Sequence, residues 1–271
     1  MNSGDRSVQT ATPGVLNKLF DRNLLRFLLL PGTDIFTRRR TALEKNWRQG
    51  PRRVLDAGFG NGWFSYRAYR SGATVTALAI GPELTRKAKA LYNGFLGIPE
   101  QRLSFREMNL YDAGQLVGAF DEIICYETLE HIRDDEAVCR MFRRMLLPGG
   151  VLHLCCPNAE HPRWRNETLD LTESGGHVRH GYTERTFRDL LEPIGFRLDR
   201  TEGVGGSFLV LLQEKLQAPL RRLFGEPGAA AAAAIAAPFV ALDDPSPPVP
   251  FSIYVRAVRD DGPVNPVRAD A

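Results

Sequence analysis

Asp56-Ala57-Gly58-Phe59-Gly60-Asn61-Gly62 follows the apolar pair Val54-Leu55 and leads into a stretch with helical spacing. Glycines alternating with other residues at a strand-to-helix turn supply unusual φ values and let the backbone approach a ligand closely. A dinucleotide site would use G-x-G-x-x-G with a phosphate on the helix N-terminus, whereas these glycines run G-x-G-x-G behind an acid. A carboxylate at Asp56 repels a pyrophosphate and suits a cationic ligand end, such as an α-amino group beside a sulfonium. With no ligand, the same glycines would form only a tight turn.

Outward from this turn, strands and helices alternate. Residues 52–57 read as a first strand, 64–71 as a helix with Phe64 and Ala68 inward, and 73–80 as an apolar second strand. Leu84, Ala88, Leu91 and Phe95 make one buried helical stripe before a third strand at 103–106. Strands at 120–125 and 151–156 enclose a helix marked by Val138, Met141, Phe142 and Met145, which Pro148-Gly149-Gly150 terminates. Thr183 is placed to cap a helix carrying Phe187, Leu190, Leu191 and Ile194, ahead of a sixth strand at 196–201. Phe251, Ile253, Val255 and Ala257 alternate with Ser252, Tyr254 and Arg256, the period-two pattern of an antiparallel strand with unlike faces. Together these elements predict an α/β fold, a Rossmann-like, doubly wound sheet of seven strands with right-handed crossovers.

The glycine turn, followed in order by Phe120-Asp121, Leu129-Glu130-His131 and Leu147-Pro148-Gly149-Gly150, resembles the class I S-adenosylmethionine-dependent methyltransferases over residues 52–201. The resemblance implies an antiparallel last strand and S-adenosyl-L-methionine as cofactor, bound by Asp56, Gly58, Gly60, Gly62, Ile80, Leu84, Asn109, Leu110 and Cys125. By the same resemblance Asp56 sits near the methionine amino group, Ile80 and Leu84 sandwich the adenine, and Asn109 and Leu110 read its edge. Asn109 stands where aspartate is commoner, and its amide still accepts from an amino group. Ala79 departs further, because the family ends its second strand with an acid that accepts from both ribose hydroxyls. Glu83 is the nearest carboxylate that could substitute; its other reading is a solvated acid in the first turn of a helix.

His131 borders the methyl-donor pocket in the resembling family, and an imidazole suits a general base near neutrality. A second cluster, Gly176-His177-Val178-Arg179-His180-Gly181-Tyr182-Thr183, lies in a loop where two histidines, Arg179 and Tyr182 could bind and deprotonate an acidic or hydroxylated acceptor. A purely structural role is the alternative for each. The expected activity is S-adenosylmethionine-dependent transfer of a methyl group to a small-molecule acceptor, with oxygen preferred as the target atom and His131 or His177 as base. The alternative is a non-catalytic binding or scaffold protein whose cofactor site is weakened at Ala79. No metal is expected, since His177 and His180 lack cysteine partners at zinc-site spacing.

A net charge of +3 over 271 residues, with basic side chains dispersed except at Arg38-Arg39-Arg40, gives no nucleic-acid footprint. That arginine run reads as solvated, with reach to a pocket carboxylate as the alternative. Cys125, Cys139, Cys155 and Cys156 contain no C-x-x-C pair, and the opening residues carry no signal-peptide pattern, so a reduced, cytoplasmic protein is expected. Residues 1–50 form an N-terminal extension, unstructured at 1–13 and with a cap helix at 15–30; 51–201 form the cofactor-binding core, and 251–259 its final strand. Residues 202–250 are a helical insertion, read as a lid over the substrate side. Its basic amphipathic run Leu216, Leu220, Arg221, Arg222, Leu223 and Phe224 supports peripheral membrane contact through 208–242 as the competing reading. Its uncharged part is shorter than the roughly 20 residues a spanning helix needs.

Overall fold

The sheet follows from the apolar runs identified above. A computed structural model describes residues 34–262, so the expected tail at 1–13 and cap helix at 15–30 lie outside the described residues. Seven strands, β1 (Arg53–Ala57), β2 (Thr74–Ala79), β3 (Leu103–Glu107), β4 (Phe120–Tyr126), β5 (Leu146–Pro157), β6 (Phe196–Val204) and β7 (Ser252–Arg259), form one sheet in the order β3-β2-β1-β4-β5-β7-β6. The pairs among β1 to β5 are parallel, and β7 runs antiparallel to both β5 and β6. The antiparallel last strand is therefore as expected. Strand order reverses between β1 and β4, and in open α/β sheets the crevice at the carboxyl ends of two such strands is where ligands bind.

Helices α1 (Ile35–Thr41), α2 (Trp63–Arg70), α3 (Pro82–Ala88), α4 (Asp135–Met145) and α5 (Glu184–Leu191) accompany the sheet. Two apolar clusters hold the layers together. One contains Leu55, Ile123, Val138, Phe142, Leu154 and Phe187; the other contains Val54, Val75, Leu91, Tyr92 and Phe105. α4 ends at Met145, before Pro148-Gly149-Gly150, so that tripeptide lies in the opening of β5 instead of terminating the helix. Thr183 caps α5 as expected, in a reciprocal box with Thr186.

The core carries a polar thread that alternation alone does not reveal. Glu122 on β4 is almost fully buried, accepting from Arg52 Nε, from the Arg48 backbone N–H at 2.7 Å and facing His153 Nε2 at 3.2 Å; His153 Nδ1 in turn meets the Tyr254 hydroxyl at 2.8 Å. Glu122, His153 and Tyr254 thereby each find a partner.

β6 extends three residues beyond its expected end, to Val204, so the insertion begins later than residue 202. It consists of α6 (Ser207–Leu212), a wider helical turn over Gln213–Gln217, α7 (Ala218–Ala236) and a tight final turn over Ala237–Leu242. α7 is broken at Gly225, whose φ of 64° and ψ of −150° are not helical. The chain then doubles back: Gln217 Nε2 donates to the Ala229 carbonyl at 3.2 Å, and a Cβ on Gly228 would lie 2.2 Å from the Leu220 carbonyl oxygen. The insertion is thus a helical hairpin with its tip at Gly225. Its root packs on α1 through Ile35, Phe36, Leu209, Ala233, Ala236 and Phe251.

Candidate active site

At the switch between β1 and β4 a cavity of about 340 Å³ opens. Gly58 and Gly60 line it from the turn after β1, Ala79, Ile80 and Leu84 from the end of β2 and α3, and Met108, Asn109, Leu110 and Tyr111 from the chain after β3. Glu127, Thr128, His131 and Ile132 after β4 complete it, with Glu173 and Gly175 from the loop after β5. Gly58, Gly60, Ile80, Leu84, Asn109, Leu110 and His131 are therefore brought together as the sequence suggests. Ile80 and Leu84 are large apolar side chains left 63% and 43% exposed, which marks them as walls of an open site.

The remaining candidates stand elsewhere. Asp56 is buried behind the glycine turn, where its carboxylate accepts from the Ser65 hydroxyl, and it does not line the cavity. Burial raises its pKa to about 6, with Ser65 opposing the shift. Gly62 is packing-bound: its φ is +79°, and a Cβ there would lie 2.6 Å from the Tyr92 ring. Cys125 is fully buried within β4 and outside the lining. The amides of the turn are largely consumed internally, since Gly58 and Phe59 donate to the Leu78 carbonyl and Gly62 to that of Phe59. The turn therefore contributes close backbone more than an array of donors. Gly60, with φ +53°, has open space where a Cβ would stand, so a side chain there would protrude beside the cavity.

Ala79 borders the cavity without an acceptor. Glu83 does not replace it: its carboxylate pairs with Arg86 at 2.6 Å and Lys87 at 2.8 Å, and those contacts, Lys87 foremost, lower its pKa to about 2. Glu83 is thus the solvated helix acid of the two readings. Asn109 Oδ1 accepts from the Tyr111 backbone N–H at 3.0 Å.

At the opposite end, Glu127 sits at φ 50°, an unusual conformation for a residue with a side chain. Its carboxylate meets buried Arg40 at 2.7 Å and accepts from the Ser252 hydroxyl at 3.2 Å. The arginine run is consequently not solvated throughout: Arg40 is buried behind the lining residue Glu127, and Arg39 faces Asp243 at 3.9 Å. Glu130 is fully buried, and neither carboxylate oxygen has a hydrogen-bond partner. Burial, reinforced by Glu127, pushes its pKa well above the ordinary carboxylate value, with Arg40 opposing.

His131 Nδ1 faces the Gly176 carbonyl at 2.8 Å, which fixes Nδ1 as the donor and leaves Nε2 with a lone pair. Burial lowers its pKa below 6.5, so it is neutral at pH 7. His177 lies outside the cavity lining, yet its ring stands 4.8 Å from that of His131, with Nδ1 2.9 Å from Glu167. Glu130, His131 and His177 offer ligand atoms within 4.8 Å of one another, donors of the type that hold a transition metal. Two other members of the second cluster, Arg179 and Tyr182, are structural, whereas His180 Nδ1 is buried without a hydrogen-bond partner among the described residues. Arg179 pairs with Asp135 and donates to the Ile132 and Arg133 carbonyls, and the buried Tyr182 hydroxyl meets Asp135 at 2.7 Å, so both tie the loop to the start of α4. Glu173, unsignalled in sequence, accepts from the Tyr111 hydroxyl at 3.0 Å and from the Arg133 backbone, closing one rim.

A glycine turn at the switch point, apolar walls after β2 and an amide after β3 define a class I S-adenosylmethionine-dependent methyltransferase. The chain belongs to the methyltransferase domain family, whose model matches residues 21–201. Among solved structures it is similar to an S-adenosylmethionine-dependent methyltransferase from Mesorhizobium loti, 19% identical with a TM-score of 0.58 over 82% of this chain and 98% of that one. It is also similar to phosphoethanolamine N-methyltransferase 2 of Haemonchus contortus in complex with S-adenosyl-L-methionine, 15% identical with a TM-score of 0.58 over 90% of this chain and 59% of that one. A sequence relative is the ubiquinone biosynthesis O-methyltransferase of Xanthomonas oryzae pv. oryzae, 38% identical over 108 residues, or 39% of this chain. The match spans 43% of that relative's length.

Proposed function

We propose that this protein transfers the methyl group of S-adenosylmethionine to a hydroxyl of a small-molecule acceptor. The observation that carries the reading is His131, a neutral imidazole with a free Nε2 lining the same cavity as Gly58 and Gly60. The residues fit the cofactor: the Gly60 cradle admits it, Ile80 and Leu84 supply apolar walls for a flat base, and Asn109 an amide, while Ala79 leaves the ribose without its usual acceptor. When bound, the cofactor supplies a methyl carbon activated by a sulfonium. The chain's task is then alignment and proton removal. His131 Nε2 takes the acceptor's hydroxyl proton, with His177 against its ring and the Gly176 carbonyl holding its tautomer. Glu127, paired with Arg40, brings carboxylate oxygens to the cavity wall, where they are acceptors for a ligand amino or hydroxyl group.

Oxygen as target is supported by the relatives named as O-methyltransferases, which also disfavour the scaffold alternative. The test is transfer of isotopically labelled methyl from S-adenosylmethionine to a panel of hydroxylated and amino-bearing compounds. Label in hydroxylated products, lost by about 100-fold or more in His131→Ala, is expected. Label confined to amines, or a His131→Ala variant as active as the parent, overturns the assignment. Because burial lowers the His131 pKa, the acid limb of the rate should fall below pH 6.5.

A further inference from the structure

We propose that the tip of the helical hairpin docks on the surface of a bilayer containing anionic phospholipid. Leu223 and Phe224 immediately precede the Gly225 bend and are 73% and 65% exposed, so two large apolar side chains occupy the point of the insertion farthest along its first arm. Their neighbours in sequence are Arg221 and Arg222, and a cleft of about 410 Å³ whose lining includes Arg163, Gln213, Glu214, Gln217, Arg221 and Arg222 opens beside them. Apolar residues at a tip, preceded by two guanidinium groups, match the layered chemistry of a membrane interface, with acyl chains below and phosphates above.

Charge selects the occupant. The two acids near the tip are engaged, Glu214 with Arg163 at 3.2 Å and Glu226 with Arg221 at 3.4 Å. Lys215 and Arg222 have no ion pair among the described residues. A surplus of positive charge beside exposed leucine and phenylalanine favours a phosphate-bearing apolar phase over an uncharged protein groove. The uncharged return arm leaves Ile235 and Phe239 exposed as well. The helical run Ser207–Leu242 has the length and apolarity of a spanning segment, but the Gly225 bend divides it and its alanines pack inward. The hairpin therefore lies on a membrane instead of crossing it.

The root of the hairpin reaches toward the active site. Leu212 and Leu216 pack in the cluster that includes Trp164, whose ring lies 5.6 Å from that of His177.

The test is co-sedimentation of the full chain, without cofactor or acceptor, with phosphatidylcholine vesicles and with vesicles that also contain phosphatidylglycerol. Binding is expected only to the anionic vesicles and should weaken with salt. The double variant Leu223→Ser, Phe224→Ser should bind at least about tenfold more weakly, whereas Val117→Ser, an exposed apolar residue outside the hairpin, should bind as the parent does. Phe224→Trp should show a blue-shifted emission on the anionic vesicles. No sedimentation, binding indifferent to the tip substitutions, an unshifted tryptophan, or a tip that sedimentation equilibrium shows buried between two copies of this chain would each overturn the proposal. These readouts do not involve methyl transfer, so they stand or fall separately from the proposed activity.

Discussion

Asp56 is the residue where position and charge pull apart. Its carboxylate is fully buried with one hydroxyl partner, and burial raises its pKa from 3.8 to about 6. A folded pKa above the unfolded one means that the neutral acid stabilises the fold fully below pH 3.8 and that this contribution is lost as the pH rises through about 6. At pH 7.5 the ionised carboxylate thus costs on the order of 3 kcal/mol. Asp56→Asn should therefore raise the urea midpoint of the cofactor-free protein at pH 7.5, and the advantage should vanish below pH 4. If the charge serves the amino end of the cofactor, as the resemblance implies, the same variant should bind S-adenosylhomocysteine more weakly by calorimetry at pH 7.5. Unchanged affinity would show that Asp56 acts only on the fold.

Among the elements, the β1-to-α2 turn separates packing from ligand contact within five residues. Gly62→Ala meets both a left-handed φ and the Tyr92 ring at 2.6 Å, so it should cost about 2 kcal/mol or more in urea unfolding. Gly60→Ala has a left-handed φ and open space, so it should cost about 1 kcal/mol of stability but lower S-adenosylhomocysteine affinity by a larger factor than Gly62→Ala does. Equal effects of the two on affinity would refute that division. The elements themselves were legible because each signal was local: apolar runs for β1, β2 and β4, strict alternation for β7, and a threonine cap for α5. Site contacts made at long range were not. The Arg40–Glu127 pair joins residues far apart in sequence, and a run of three arginines carries no sign of which one turns inward. Glu173 lies in a polar loop whose approach to Tyr111 depends on how β5 and β3 end, which no periodicity encodes. Of the two readings of Glu83, the solvated helix acid was legible from its neighbours Arg86 and Lys87, one helical turn away.

Across the whole molecule, Glu122 joins three layers of sequence, because Arg52 before β1, His153 in β5 and, through it, Tyr254 in β7 all depend on one carboxylate. Glu122→Ala should destabilise the protein by about 3–5 kcal/mol, since it leaves a guanidinium buried without its partner; chemical denaturation measures this, and a loss under 1 kcal/mol would show that water replaces the carboxylate. The helical hairpin stands apart from this web. Val204 and Ser252, on either side of it, are partners in the β6–β7 ladder, and the Phe251 backbone donates to the Gly205 carbonyl at 2.8 Å. The insertion leaves and re-enters the sheet through one closed gateway, so a longer, shorter or wholly foreign segment could be grafted there without altering the register of any strand. Such a doorway makes the appendage interchangeable while the catalytic chassis stays fixed.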